Sequence, residues 1–538
     1  MQYQPLDTAW VLIGAVLVFA MQAGFALVEA GFSRQKNAAN AVIKNITDFL
    51  ISSLVFCIIG FRIMYAGVAE GSYAAGIPDK VFIFYELVFC GTAATIASGA
   101  FSGRMRFSSY CLYSLVMSAV IYPVSGHWAW GGGFLQKMGY HDFAGGSVVH
   151  MVGGISALVG AMILGPRIGK YNEKHYSNAI QGHSMTQVAL GVFVLWIGWF
   201  GFNGSSTMGI STEEQILTAG NVLLNTALAG AAAGITTLLV SWFRYHRADI
   251  SMVLNGVLGG LVAITSGCDV MDQGGAIATG VIASLVMIAS IEIIDITCHI
   301  DDPVGASSVH GICGIVGILL TGVFSTKNGL LHAGGFRQLG IQCIGVLVMC
   351  AWVTGCMLVF MLILKALGIL RVSKDAEMIG LDRSEHGYVG DMLPRAADFA
   401  TDLDKDEIRK MMGEVEDRHY ISDHKVRSVV IITRENKLND LKNALNDIGI
   451  SGITVSDVMG CGVQKGHIES FYRGVEMEVE LLPKVRVEVV ISEVPLNSVI
   501  EAAKKVLKTG NTGDGKIFVY GVENVIRIRT EEEGEKAL

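Results

Sequence analysis

The chain has 538 residues, 51% of them hydrophobic and only 16% charged, where a soluble protein carries about 25% charged residues. That length exceeds one ordinary globular domain, and the charge deficit points to membrane-spanning segments. The formal net charge of -8 argues against a nucleic-acid binder, which would present a basic face.

Residues 1 to about 370 form a succession of apolar runs, whereas the remainder reads as soluble protein. Met1 to Trp10 lacks the basic region of a signal peptide, so the first span is expected to be retained. At about 20 apolar residues per span, eleven candidates follow: 8–32, 42–68, 81–103, 108–130, 143–165, 184–206, 216–243, 250–267, 273–294, 305–324 and 337–370. Backbone groups in lipid must be satisfied within their own segment, so helices are expected. Basic residues gather after the odd-numbered spans: Arg34, Lys36 and Lys44, then Arg104 and Arg106, then Arg167, Lys170 and Lys174, then Arg244 and Arg247, then Arg371 and Lys374. The positive-inside rule therefore predicts an external N-terminus and a cytoplasmic C-terminal half.

Cys57, Cys90, Cys111, Cys313 and Cys350 lie in apolar runs and read as small hydrophobic residues. Two ionisable residues at membrane depth stand out. His150 follows D-F-A-G-G-S-V-V, His310 follows D-D-P-V-G-A-S-S-V, and they fall in the fifth and tenth spans. That placement suggests two inverted five-helix repeats, a common transporter design. A lone intramembrane histidine is usually a packed, hydrogen-bonded group. A neutral ring, however, donates at one nitrogen and accepts at the other, so two facing rings could pass hydrogen bonds along an apolar pore. A metal would need more ligands than two histidines, and none follows at suitable spacing.

Residues 1 to about 390 resemble the ammonium transporter (Amt/Rh) family. The resemblance rests on W-G-G-G (130–133), D-F-A-G-G-S-V-V-H (142–150), I-G-W-F-G-F-N-G-S-S (197–206), D-D-P-V-G-A-S-S-V-H-G-I-C-G (301–314) and G-L-D-R-S-E-H-G (380–387). It implies a homotrimer with a pore for ammonium or ammonia in each protomer. Phe89 and Phe202 would form an aromatic gate. Phe89, Trp130 and Ser206 would form an outer recruitment site, where an ammonium ion over an aromatic face gains about 0.5–2 kcal/mol. Asp142 would lie near that site, as a cap on the fifth span or as a substrate contact. Trp199 would line the lower pore, and His150 and His310 would be its twin histidines. Gly305 and Ser307 depart from relatives that carry Asp and Phe there.

Residues 373–424 are polar and read as a cytoplasmic tail and linker, with 402–417 either a short helix or a solvated spacer. From Val426 onward the strand-like runs are 426–433, 452–458, 485–491, 516–520 and 525–530, and the helical runs are 438–448 and 498–507. The predicted architecture is thus an eleven-helix membrane domain (1–372), a linker, and an α+β ferredoxin-like β-α-β-β-α-β domain (425–538). Two loops, G-C-G-V-Q-K-G-H (460–467) and T-G-N-T-G-D-G-K (509–516), are rich enough in glycine to nest phosphate.

With Y-R-G, L-L-P-K-V-R-V-E-V and V-I-R-I-R-T, these loops resemble the P-II signal-transduction family over 426–538. The resemblance implies ATP or ADP at Gly462, Gly513, Asp514, Gly515, Lys516, Arg527 and Arg529. It places Mg2+ at Gln464 and 2-oxoglutarate at Gln464 and Lys484. Residues 463–483 would form the T-loop, with Arg473 as the residue that plugs an ammonium channel from the cytoplasm. Met477 stands where some relatives carry the uridylylated tyrosine. No nucleophile–base pair suggests an enzyme. The expected function is ammonium transport in the cytoplasmic membrane, regulated by the fused domain. The alternatives are an ammonium sensor with little flux, or a channel whose soluble half recruits a cytoplasmic protein partner.

Overall fold

The computed structural model describes residues 3–388, apart from 173, 333 and 334, and 426–538, apart from 435, 436, 451, 461–465, 473, 474, 480, 481 and 511–513; over 457 and 459–483 it describes backbone alone. The chain divides into two compact units.

The first unit is helical: α1 Pro5–Phe32, α2 Gln35–Met64, α3 Asp79–Phe101, α4 Phe107–Met138, α5 Gly146–Leu164, α6 Met185–Thr207, α7 Glu213–Tyr245, α8 Ile250–Ile264, α9 Gln273–Thr297, α10 Ser307–Phe324 and α11 Arg337–Ala366. Ten of these, all but α8, are long and apolar enough to cross a membrane. Helix α8 answers to the eighth predicted span, but its 15 residues cover only about 22 Å. The outer faces are apolar, with Phe243 80% and Leu347 69% exposed. In water such faces would cost stability; against lipid they are the expected surface.

Close helix contacts rest on glycine. A Cβ on Gly24 of α1 would lie 3.1 Å from the Gly191 carbonyl of α6, and one on Gly191 would lie 2.7 Å from that of Gly24. Between α5 and α10, a Cβ on Gly154 would lie 2.0 Å from the Gly311 nitrogen. Small residues at such crossings let backbones touch, which is how helices associate without a hydrophobic drive.

A buried polar cluster fills the space among α1, α2, α3 and α4. Lys44 donates to the Ser98 carbonyl at 2.9 Å and lies 4.0 Å from Glu29, which accepts from the Ser98 hydroxyl at 2.8 Å. Thr95 and Tyr110 donate to Asp48. After α11, the short helices α12 Lys374–Ile379 and α13 Leu381–His386 fold back on the α1–α2 turn. The Asp382 carboxylate accepts from the Ala39 and Asn40 amides at 3.1 and 2.7 Å, so the D-R-S-E-H string caps a helix start.

The C-terminal part of the chain runs β1 Arg427–Thr433, α14 Leu438–Asp447, β2 Thr454–Gly460, β3 Gly466–Tyr472, β4 Val475–Val479, β5 Leu482–Ile491, α15 Leu496–Leu507 and β6 Lys516–Gly521. The sheet order is β2-β5-β1-β6, antiparallel throughout, with β3 and β4 as a separate ribbon. Without that ribbon the strand order is the one the β-α-β-β-α-β reading requires. Alternate residues of β5, Val485, Val487 and Val489, face Leu441 and Leu445 of α14 and Val499 and Ala503 of α15. The expected strand at 525–530 does not form. Arg527 instead closes a turn through its amide to the Glu532 carbonyl at 2.9 Å, and only Ile526 bridges to Glu533.

Candidate functional site

Both histidines sit at the start of a broken helix whose first turn is widened: Gly146–Met151 in α5 and Ser307–Ile312 in α10 are π-helical. Each break is built alike. Asp142 accepts from the amides of Gly145, Gly146, Ser147 and Val148 at 2.7–3.1 Å, and from the Ser147 hydroxyl at 2.6 Å. Asp302 accepts from the Gly305 and Ser307 amides at 3.0 and 2.7 Å. Gly145 and Gly305 both have positive φ, +107° and +80°, which a side chain would resist. The two segments therefore share the pattern D-x-x-G-x-S-x-V-H. Gly305 and Ser307 are the second copy's counterparts of Gly145 and Ser147.

The rings meet in the centre of the unit. His150 Nδ1 lies 3.3 Å from His310 Nδ1, with ring centroids 5.3 Å apart. One Nδ1 must donate and the other accept, which fixes complementary tautomers for a neutral pair. His150 Nε2 has no hydrogen-bond partner among the described residues. His150 stacks on Trp199 at 5.0 Å and on Phe202 at 5.3 Å. Trp199 donates to the Thr265 hydroxyl at 2.8 Å, which fixes its plane. Phe202 packs on Phe89 at 4.1 Å, tilted by 31°, and both rings are buried.

Beyond this aromatic pair opens a cavity of about 390 Å3, lined by Trp130, Ser206, Tyr65, Tyr85, Glu86 and neighbouring residues. Trp130 donates to the Asp142 carbonyl at 2.7 Å, and Tyr85 shares a 2.7 Å hydrogen bond with Ser206. Thus Phe89, Phe202, Trp199, His150 and His310 are joined by ring contacts, and Tyr85, which lines the cavity with Trp130 and Ser206, packs on Phe89 at 4.5 Å. Asp142 lies beside Trp130 with its carboxylate turned to backbone amides. The sequence reading missed Tyr85 and Glu86. Their spacing four and three residues ahead of Phe89 on α3 was the available signal.

In the second unit, Asp514 organises the 509–516 loop by accepting from the Thr509 and Gly510 amides at 2.7 and 2.9 Å. A hydrogen bond from the Thr509 hydroxyl holds its carboxyl below the usual range. Gly515 has φ +114°, and a Cβ there would meet the Ile432 carbonyl at 2.1 Å. Lys504, Lys505, Lys508 and Lys516 line a cavity of about 600 Å3 together with Asp514 and Gly515. Four ammonium groups around a glycine-bearing loop suit a polyphosphate. Arg527 is turned to its own tail, donating to Glu532 and to the Ala537 and Leu538 carbonyls, while Arg529 is exposed. Lys484 lies half-buried on β5. Gly462, Gln464, Arg473 and Gly513 lie outside the described residues.

Residues 9–390 match the model of the Ammonium Transporter Family, and 426–532 match that of nitrogen regulatory protein P-II. The chain belongs to the ammonium transporter family. Its second unit is a P-II domain. The transporter is 40% identical over 417 residues to ammonium transporter Amt2 of Archaeoglobus fulgidus, covering 72% of this chain and 88% of that one. It is 36% identical over 424 residues to ammonium transporter 1 member 3 of Solanum lycopersicum, covering 71% and 92%. Among solved structures it resembles a protein titled "Sensor Amt Protein", with TM-score 0.66, 37% identity and coverage of 71% and 98%. It also resembles Mep2 of Candida albicans, with TM-score 0.64, 26% identity and coverage of 70% and 88%. These transporter relatives align with the membrane half, and the P-II domain stands beyond them.

Proposed function

We propose that this transporter conducts ammonium or ammonia past the residues from Trp130 to His310, and that its fused P-II domain regulates that flux. The facing histidines carry the reading. An apolar passage with a paired ring at its centre and an unpartnered His150 Nε2 gives an N–H donor an acceptor in the tautomer in which His150 Nδ1 donates to His310. Ammonium gathers at Trp130, Ser206 and Phe89, loses water at the Phe89–Phe202 pair, and passes the histidines and Trp199. Asp142 holds the α5 break in shape. The shared D-x-x-G-x-S-x-V-H breaks, with glycine contacts pairing α1 with α6 and α5 with α10, support two inverted five-helix repeats and eleven spans. The assembly is a homotrimer in the cytoplasmic membrane, with its N-terminus outside. The membrane domain ends near 372, and a linker to about 424 joins it to the P-II domain in the cytoplasm.

The P-II domain holds ATP or ADP at Gly462, Gly513, Asp514, Gly515, Lys516, Arg527 and Arg529. Gln464 would hold Mg2+, which would neutralise phosphate charge, and Gln464 and Lys484 would hold 2-oxoglutarate. The support is the lysine-lined cavity beside the Asp514 loop. Arg473 plugs the pore with ADP, or with ATP in the absence of 2-oxoglutarate, and withdraws when ATP, Mg2+ and 2-oxoglutarate are all present. Fusion favours this by raising the local concentration to about mM. The test is flux through the intact chain and through R473A, with ADP and then with Mg-ATP and 2-oxoglutarate. Suppression by ADP in the intact chain alone supports the plug; equal flux in all conditions removes it.

A second reading, a sensor that binds ammonium with little flux and signals to a cytoplasmic partner, is favoured by the 37% identity to a protein titled a sensor. Nucleotide-dependent partner capture without flux would select it.

A further inference from the structure

Among the described residues, the outer cavity has one buried side-chain acceptor without a hydrogen-bond partner. Glu86, on α3, is 3% exposed and lines the cavity with Trp130 and Ser206. Its Oε1 accepts from the Tyr65 hydroxyl at 2.8 Å, while Oε2 is buried with no hydrogen-bond partner among the described residues. Several other polar side chains of the cavity are committed. Tyr85 and Ser206 bond each other, Gln136 accepts from the Gly132 amide at 2.7 Å, and Gln215 closes the capping box at Thr212. Asp142, the acidic residue the motif draws attention to, already accepts five hydrogen bonds.

A buried carboxylate oxygen without a donor is costly, and buried charge is kept where a counter-charge can reach it. An ammonium ion supplies both the missing N–H and the positive charge. The aromatic walls beside Glu86 offer faces for the other hydrogens. We infer that Glu86 is the cation-binding carboxylate of the outer site, accepting an N–H from ammonium through Oε2 while Tyr65 holds Oε1. Asp142 then shapes the pore without touching the ion. This rests on the outer cavity being where ammonium is gathered.

The test uses the full chain with E86Q, which keeps an oxygen for Tyr65 and removes the charge, and E86D as a conservative second variant. Ammonium chloride is titrated against a constant-ionic-strength background, read by tryptophan fluorescence in detergent and by initial flux in proteoliposomes. The expected result is half-saturation raised about tenfold or more in E86Q, maximal flux retained, and E86D in between. Unchanged half-saturation in E86Q overturns the assignment, whatever the flux. Weakened binding in E86Q with no flux in either protein keeps Glu86 in its role and removes conduction instead. An E86Q too unstable to purify leaves E86D, whose half-saturation must then shift for the assignment to stand.

Discussion

Asp142 and Asp302 hold one position relative to two different histidines: each lies eight residues ahead of its ring and turns its carboxylate onto the amides of the break that follows. Each carboxylate holds the backbone turn from which its histidine's helix starts. Asp142 satisfies four amides, whereas Asp302 takes the Gly305 and Ser307 amides. Loss of a buried acceptor strands each donor at about 1–3 kcal/mol. We expect D142A, which strands four amides and a hydroxyl, to lower unfolding stability in detergent by about 4 kcal/mol or more. A D142A that unfolds together with the parent would show that this carboxylate does not hold the break.

The α5–α10 crossing should tolerate less than the α1–α6 crossing. A Cβ on Gly154 meets backbone of Gly311 at 2.0 Å, whereas one on Gly24 meets the movable Leu195 side chain at 2.7 Å. Forced repacking costs about 1–3 kcal/mol when side chains can yield, and more when backbone must shift. G154A is expected to lose monodispersity on size exclusion and most of its flux, with G24A much closer to the parent. Equal behaviour would mean that the crossing of the two breaks is not a tight constraint.

Lys44 is 1% exposed and is held by the Ser98 carbonyl and by Glu29 at 4.0 Å. Removing one member of a buried pair strands the other, at about 3–5 kcal/mol. K44M should therefore melt well below the parent, and E29Q added to K44M should restore part of the loss. Additive losses in the double variant would argue that the two groups are not coupled.

Asp301 lies in the loop between α9 and α10, where Arg167 binds it at 2.8 Å through two nitrogens. Burial alone would raise its carboxyl, but Arg167 and Arg104 outweigh burial and hold it far below the usual range. A carboxyl depressed by folding contributes stability in full above the unfolded value of about 3.9, and loses it as pH falls from there toward the folded value. The contribution is about 2–3 kcal/mol. Melting temperature is expected to drop as pH falls below about 4 in the parent, with a shallower drop in D301N. Parallel pH curves for the two would contradict the assignment.

The sequence made much of this legible, and for physical reasons. Long apolar runs can only be helices in lipid, so ten of the expected spans fall on helices long and apolar enough to cross a membrane, while the eighth falls on the 15-residue α8. His150 and His310 were visible because an ionisable ring at membrane depth has few innocent roles. Tyr85 and Glu86 were hidden because an aromatic or acidic residue within an apolar helix does not announce which way it faces. The widened π turns were hidden too, since residue type sets a helix break more plainly than its pitch. At 525–530, alternating Val, Ile and Arg has the period of a strand, but Arg527 found its partners at the chain's own end and closed a turn. Arg473 and Gln464, where regulation would be read, lie outside the described residues.

The most direct test is ammonium uptake by the intact chain in proteoliposomes, read as current and as interior pH, for the parent, H150A and H310A. The account predicts saturable uptake in the parent and a loss of about tenfold or more in each variant, because either change leaves the partner ring without its Nδ1 hydrogen bond. Uptake in the parent that both variants preserve would place the path elsewhere and contradict the account.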